Sequence, residues 1–235
     1  SETKVFKHRD MNHLESLLKA ESRSRKIVVT DEVFSMDGVR APLVELAALK
    51  AKYPFILVTD SAHSTGIYGD FGSGLVNAAG VTDDVDFQVG TLSKALASHG
   101  GFVSCSERNR AWLLNSARAF IFSTALPVPN VVAATAAIEI MGNDEDVRAR
   151  LWNRITELAK LMRQAPTGPI FPVIVGDEAT VLKQAASLYA KGFHVPAIRP
   201  PTVPEGTCRL RITLSAAHQR SEINALYKAM VANPS

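Results

Sequence analysis

The sequence predicts an α/β fold: a larger N-terminal part built on a mostly parallel sheet, then a smaller α+β part. Three observations carry this. Short, wholly apolar runs alternate with helical stretches as far as about residue 125. Polar clusters stand directly after those runs, at Asp31–Asp37, Asp60–Ser64 and Thr91–Lys94. After Pro127 and Pro129 the pattern changes to long helices with isolated strands. A chain of 235 residues suffices for one large domain or two small ones. The division expected is 1–140 and 141–235.

The elements follow in order. Met11–Arg23 sets Leu14, Leu17 and Leu18 on one helical face. Lys26–Thr30 and Phe55–Thr59 are β-branched or apolar throughout and read as buried strands, with the helix Pro42–Tyr53 between them. Val85–Thr91 and Gly101–Ser104 are two further strands, and Arg108–Phe120 a helix. Strands apolar on both sides imply a sheet covered on both faces. Beyond Pro129 come helices at Val131–Met141 and Asp144–Arg163, a strand at Ile170–Val175, and a helix at Thr180–Lys191. A strand at Cys208–Leu214 and an amphipathic helix at Ser221–Val231 close the chain.

Composition removes several function classes. Hydrophobic residues at 46% and charged residues at 21% match a globular chain in water, and no apolar run is long enough to span a membrane. The net charge of +3 is spread along the chain, so nucleic acid is not expected as a partner. Cys105 and Cys208 lie far apart and outside metal-ligand spacing, which suggests reduced thiols, a cytoplasmic protein and no metal site. The chain opens on Ser1 with neither an apolar signal core nor an Arg/Ser-rich transit segment, as expected of a processed chain or a fragment.

In open α/β sheets ligands bind beyond the carboxyl ends of the strands, so the polar clusters are the first candidates. Asp60 follows a buried strand, where an ionised carboxylate needs a partner. A protonated heterocyclic nitrogen, a turn to cap, or Mg²⁺ would each serve. His63, in DSAHSTG, suits hydrogen bonding or proton exchange, or a purely structural bond; no further ligands stand at metal spacing. Lys94 precedes small residues and Gly100-Gly101, and burial there would lower its pKa and make the amine nucleophilic. Thr91 and Ser93 add hydroxyls suited to a phosphate or ring substituent. The run Gly69–Gly74 fits neither a dinucleotide fingerprint nor a P-loop and reads as a turn-rich loop.

Read together, DEVFSMDG (31–38), DSAHSTGIYG (60–69), TLSKALASHGG (91–101) and FSTALP (122–127) resemble the α-oxoamine synthase family. These are fold-type I pyridoxal 5′-phosphate (PLP) enzymes that join an amino acid to an acyl thioester with loss of CO₂. The resemblance implies that Lys94 holds PLP as a Schiff base and acts at the substrate Cα. It implies that Asp60 pairs with the ring nitrogen and His63 with the phenolic oxygen, and that Ser35 and Thr91 contact the cofactor. Ser123 and Thr124 would reach the phosphate in the neighbouring subunit of a homodimer. Arg211 would bind the amino-acid carboxylate, and Thr202 would lie near the acyl substrate.

Within the family, residues 197–218 most resemble members that condense L-alanine with a pimeloyl thioester, carried on CoA or acyl carrier protein, into a biotin precursor. Members acting on glycine, of the glycine C-acetyltransferase or 5-aminolevulinate synthase type, are the alternative; a truncated chain that folds without catalysing is another. Against the family pattern, an N-terminal region is absent that normally supplies the phosphate loop, the ring stacking on the cofactor and part of the dimer interface. The stretch between Arg163 and Ile170 is short, and Ala97 stands where glycine is common.

Overall fold

The computed structural model describes residues 2–21 and 25–232. They form two compact units. The first runs to Val33 and resumes over Arg40–Asn143; the second takes Phe34–Val39 and everything from Asp144 onward.

In the first unit, helix α1 (Met11–Ala20) is capped by Asp10, whose carboxylate accepts from the His13 amide. The expected extension to Arg23 lies outside the described residues. Strands β1 (Ile27–Asp31) and β2 (Ile56–Asp60) flank helix α2 (Leu43–Lys52). After a one-turn helix α3 (Leu75–Ala78), β3 (Phe87–Thr91) and β4 (Gly101–Cys105) complete a sheet of order β1-β2-β3-β4. The first two pairings are parallel and β3–β4 is antiparallel, so residues 92–100 form a reversal at the end of β3.

The expected double-sided cover is not found within this unit. Val28, Thr30, Leu57 and Thr59 are buried on one face, whereas on the other Ile27 and Val29 are each 62% exposed and Val103 48%. An apolar run looks the same whether or not its own chain covers both sides. The expected helix Arg108–Phe120 is also two helices, α4 (Glu107–Ser116) and α5 (Arg118–Ile121), because Ala117 leaves helical geometry at ψ 96°. Helix α6 (Val128–Asn143) starts directly after Pro127, earlier than expected.

The second unit is an antiparallel sheet, β5 (Ile170–Gly176), β7 (Cys208–Thr213) and the two-residue β6 (Ala197–Ile198), in the order β5-β7-β6. Helices α7 (Glu145–Met162), α8 (Glu178–Ala190) and α9 (Arg220–Val231) pack with it. Ile155, Leu158, Phe171, Val181, Leu210 and Ile223 form its core. Asp144 and Asp177 cap α7 and α8, and Gln219 with Glu222 forms a capping box on α9.

The division between units falls at Asn143, three residues beyond the expected 140, because α6 continues to that point and Asp144 caps α7. The hexapeptide Phe34–Val39 joins the second unit for a local reason. Gly38 has φ +67°, and a Cβ there would stand 2.5 Å from the Ile170 carbonyl oxygen, so only glycine allows the approach.

Candidate active site

In the first unit the parallel register sets Asp31 beside Asp60 at the carboxyl ends of β1 and β2, with Asp60 opposite Val89 of β3. The half-buried Asp60 accepts from the Ala62 amide at 2.8 Å through Oδ1; its Oδ2 takes no hydrogen bond among the described residues. The chain then turns tightly. Ser61 is tied to β3 through its amide and hydroxyl, both donating to the Val89 carbonyl, and the Ser64 and Thr65 amides return to the Ser61 carbonyl. The buried Tyr68 ends this turn with the Arg40 guanidinium 4.8 Å from its ring centre; burial pushes its phenol pKa up and Arg40 partly offsets this.

That turn meets the reversal 92–100. A Cβ on Gly66 would stand 2.7 Å from the Ala95 Cβ, so glycine is what permits the contact. His63 Nε2 and Lys94 Nζ are thereby 3.0 Å apart. The expected burial of Lys94 is not found: Leu92 and Leu96 turn inward, and Lys94, out of phase between them, is exposed. Ala97 adopts φ +48°, the left-handed region that favours glycine, and its amide closes back on the Lys94 carbonyl. Thr91 Oγ1 is 2.7 Å from Ser93 Oγ and accepts from the Ser93 amide, so the two hydroxyls hold each other. Ser123 and Thr124 lie in an exposed stretch after α5, with the Ser123 hydroxyl donating to the Ala119 carbonyl.

A cavity of about 270 Å³ opens on the covered side of the sheet, lined by Ser61, Thr65, Gln88, Leu92, Leu96 and Phe102 among others. It includes none of Asp60, His63 or Lys94, and its walls are chiefly apolar.

In the second unit the half-buried Arg211 donates from Nε to the Ser35 carbonyl at 2.6 Å and from Nη1 to Thr213 Oγ1 at 3.2 Å. Burial lowers its guanidinium pKa below the ordinary value. Arg209, buried, reaches the Met36 carbonyl from Nη1. Ser35 is thus fixed through its backbone while its hydroxyl is left to other work. Thr202 is exposed, in the connection between β6 and β7.

One polar residue in the first unit was not singled out from the sequence. Glu32 is fully buried and accepts from Thr59, Ser64 and Gln88 side chains and from the Leu75 amide. No local signal marks it, since its donors come from 27 to 56 residues away.

A mostly parallel sheet in a chain that continues into a small α+β unit is the architecture of a partial fold-type I PLP transferase, as the following likenesses show. The chain belongs to the aminotransferase class I and II family, whose profile matches residues 2–230. It is 46% identical over 226 residues to an 8-amino-7-oxononanoate synthase of Arabidopsis thaliana, covering 96% of this chain and 48% of that one. Among solved structures it resembles a Sphingomonas wittichii serine palmitoyltransferase, with TM-score 0.92 and 30% identity over 97% of this chain and 59% of that one. Another structure of TM-score 0.92, also at 30% identity over 97% of this chain and 59% of that one, is SPT with PLP as its internal aldimine. The chain spans about half the length of the curated relatives it matches.

Pyridoxal phosphate is the cofactor of this family, and the residues present fit it. Asp60 has an uncommitted carboxylate oxygen suited to a ring N–H⁺, and Lys94 presents an amine beside an imidazole. Among the described residues no helix is long and apolar enough to cross a membrane.

Proposed function

We propose that the chain is part of a PLP-dependent acyltransferase that condenses L-alanine with a pimeloyl thioester, releasing CO₂ and giving 8-amino-7-oxononanoate for biotin synthesis in the cytoplasm. The observation that carries the reading is the pairing of Lys94 Nζ with His63 Nε2 at 3.0 Å, at the strand ends that also present Asp60. The name shared by relatives at 42–46% identity supports the substrates.

Bound PLP supplies an electron sink for charge developing at the substrate Cα. Lys94 Nζ would hold the cofactor covalently, and its amine would serve as the base that moves the Cα proton. His63, within hydrogen-bond reach, orients that amine and would hydrogen-bond the ring's phenolic oxygen. Asp60 Oδ2 would keep a proton on the ring nitrogen, while Oδ1 is held by the Ala62 amide. Ser35 and Thr91 would contact the cofactor, as the family resemblance implies. Arg211 receives the amino-acid carboxylate; its Nη2 makes no hydrogen bond among the described residues, and its Nε is steadied by Ser35. Thr202 would lie near the acyl substrate, and Ser123 and Thr124 would reach the phosphate in the partner of a homodimer.

The test is direct. PLP added to the chain should give a visible absorbance band, and borohydride reduction should place the label on Lys94; a label elsewhere, or none, sinks the reading. Turnover of L-alanine with pimeloyl-CoA or pimeloyl-acyl carrier protein should exceed that of glycine with acetyl-CoA. The serine palmitoyltransferase likeness supports a second pair for the same assay, L-serine with palmitoyl-CoA.

A further inference from the structure

Glu32 is the first residue after β1, and nothing in the functional reading uses it. Its carboxylate is fully buried and divided cleanly between two tasks. Oε1 accepts from Thr59 Oγ1 at 3.0 Å and Gln88 Nε2 at 2.8 Å, which ties it to β2 and β3. Oε2 accepts from the Ser64 hydroxyl and from the Leu75 amide at 3.0 Å, which ties it to the segment beyond β2. The backbone takes part as well: the Glu32 amide donates to the Asp60 carbonyl, and its carbonyl accepts from Ala41.

The segment passes very close to this carboxylate. Gly74 has φ +113°, and a Cβ there would lie 3.3 Å from Glu32 Oε2 and 3.0 Å from Gln88 Nε2, so a side chain would push into the group. His63 sits between the two anchors of its turn: Ser61, bound to β3, and Ser64, bound to Glu32. The Ile67 and Tyr68 amides then donate to the Ser64 carbonyl, so whatever fixes Ser64 fixes the turn beyond it.

We infer that Glu32 is a positioning residue: through Ser64 it sets the turn that presents His63 to Lys94, an inference that rests on the functional reading above. A carboxylate that merely glued strands together would use its donors interchangeably. Thr59 and Ser64 make the comparison possible, since both are fully buried and each gives Glu32 a hydroxyl hydrogen, the Ser64 hydroxyl also lying 3.3 Å from the Ser61 carbonyl in the same turn. Thr59 leads only to the strand; Ser64 leads to His63.

The experiment compares Ser64→Ala with Thr59→Val, using PLP itself as the probe. Both variants should lose thermal stability to a similar degree. Ser64→Ala should weaken PLP uptake, read from the visible band, by about tenfold, the consequence of one lost charge-assisted hydrogen bond. Thr59→Val should leave PLP uptake at the unaltered level. Glu32→Gln should restore most of what Glu32→Ala loses, because its amide oxygen can face Ser64 and Leu75 while its amide nitrogen donates to the Thr59 hydroxyl and to a Gln88 amide turned to present its oxygen. Equal effects of the two hydroxyl variants on PLP uptake, or none from either, overturn the positioning role. Amide exchange without cofactor supplies an independent arm: Ile67 and Tyr68 should exchange about tenfold faster in Ser64→Ala and unchanged in Thr59→Val. Unaltered exchange in Ser64→Ala refutes the clasp. If the unaltered chain takes up no PLP, the functional reading falls by itself and the exchange arm still decides the role of Glu32.

Discussion

The two units solve the problem of a core differently. The second closes an apolar interior around Ile155, Leu158, Phe171, Val181 and Leu210, with Arg209 as its one buried charged or polar residue among those described. The first buries Thr30, Glu32, Thr59, Ser61, Ser64 and Thr65 at its strand ends and leaves Ile27, Val29 and Val103 exposed on one face of its sheet. Buried polar groups are costly unless every one is bonded, and here each is. The second unit is organised for stability, and the first holds a hydrogen-bonded network whose product is the geometry of a few side chains.

Perturbing each unit should therefore damage different properties. The largest effect is expected from Lys94→Ala, which should abolish borohydride labelling by PLP. Because Lys94 is exposed, the cofactor-free unfolding free energy should move by no more than about 0.5 kcal/mol, checked by urea titration. A stable variant that still carries label would remove Lys94 from its role. Next comes Leu158→Ala in the dry core, expected to cost about 2–5 kcal/mol in the same titration, while Val29→Ala on the open sheet face should cost under about 0.5. Similar losses at both positions would mean that the open face is as tightly packed as the closed core.

Arg211→Lys should leave PLP labelling intact and weaken L-alanine, measured by spectral titration, by about tenfold. A lysine ammonium cannot hold the Ser35 carbonyl, Thr213 and a carboxylate in one plane. The smallest effect concerns acid. Glu15 accepts from Lys52 and the Tyr53 hydroxyl, joining α1 to α2, and Lys52 beside it does most to lower its pKa to about 2. A depressed carboxylate stabilises the fold above its unfolded value, near 4.5, and loses that contribution as pH falls toward 2. Glu15→Gln should accordingly flatten the stability profile between those limits and leave it unchanged in slope above pH 5.

What was legible in the sequence follows the range of the interactions. Strands β1, β2 and β5 announce themselves as apolar runs, and Asp60, His63 and Lys94 as polar residues just past such runs, because both signals are local. The break at Ala117 left no Gly or Pro to mark it. The open sheet face was illegible because Ile27 and Val29 look alike buried or bare. Glu32 was hidden in a polar cluster, its meaning supplied by Thr59, Ser64 and Gln88. The attachment of Ser35 to the second unit depends on Arg211, 176 residues away. Ala97 was noticed only as a residue where glycine is common; its positive φ supplies the reason.

The contact between Gly66 and Ala95 has a consequence for substitution. A Cβ on Gly66 would stand 2.7 Å from the Ala95 methyl, so position 66 has no room for one further carbon on that side. A larger residue at 66 would push on the chain that bears Lys94. The spacing of amine and imidazole is thus guarded at position 66 by a residue with no reactive group of its own.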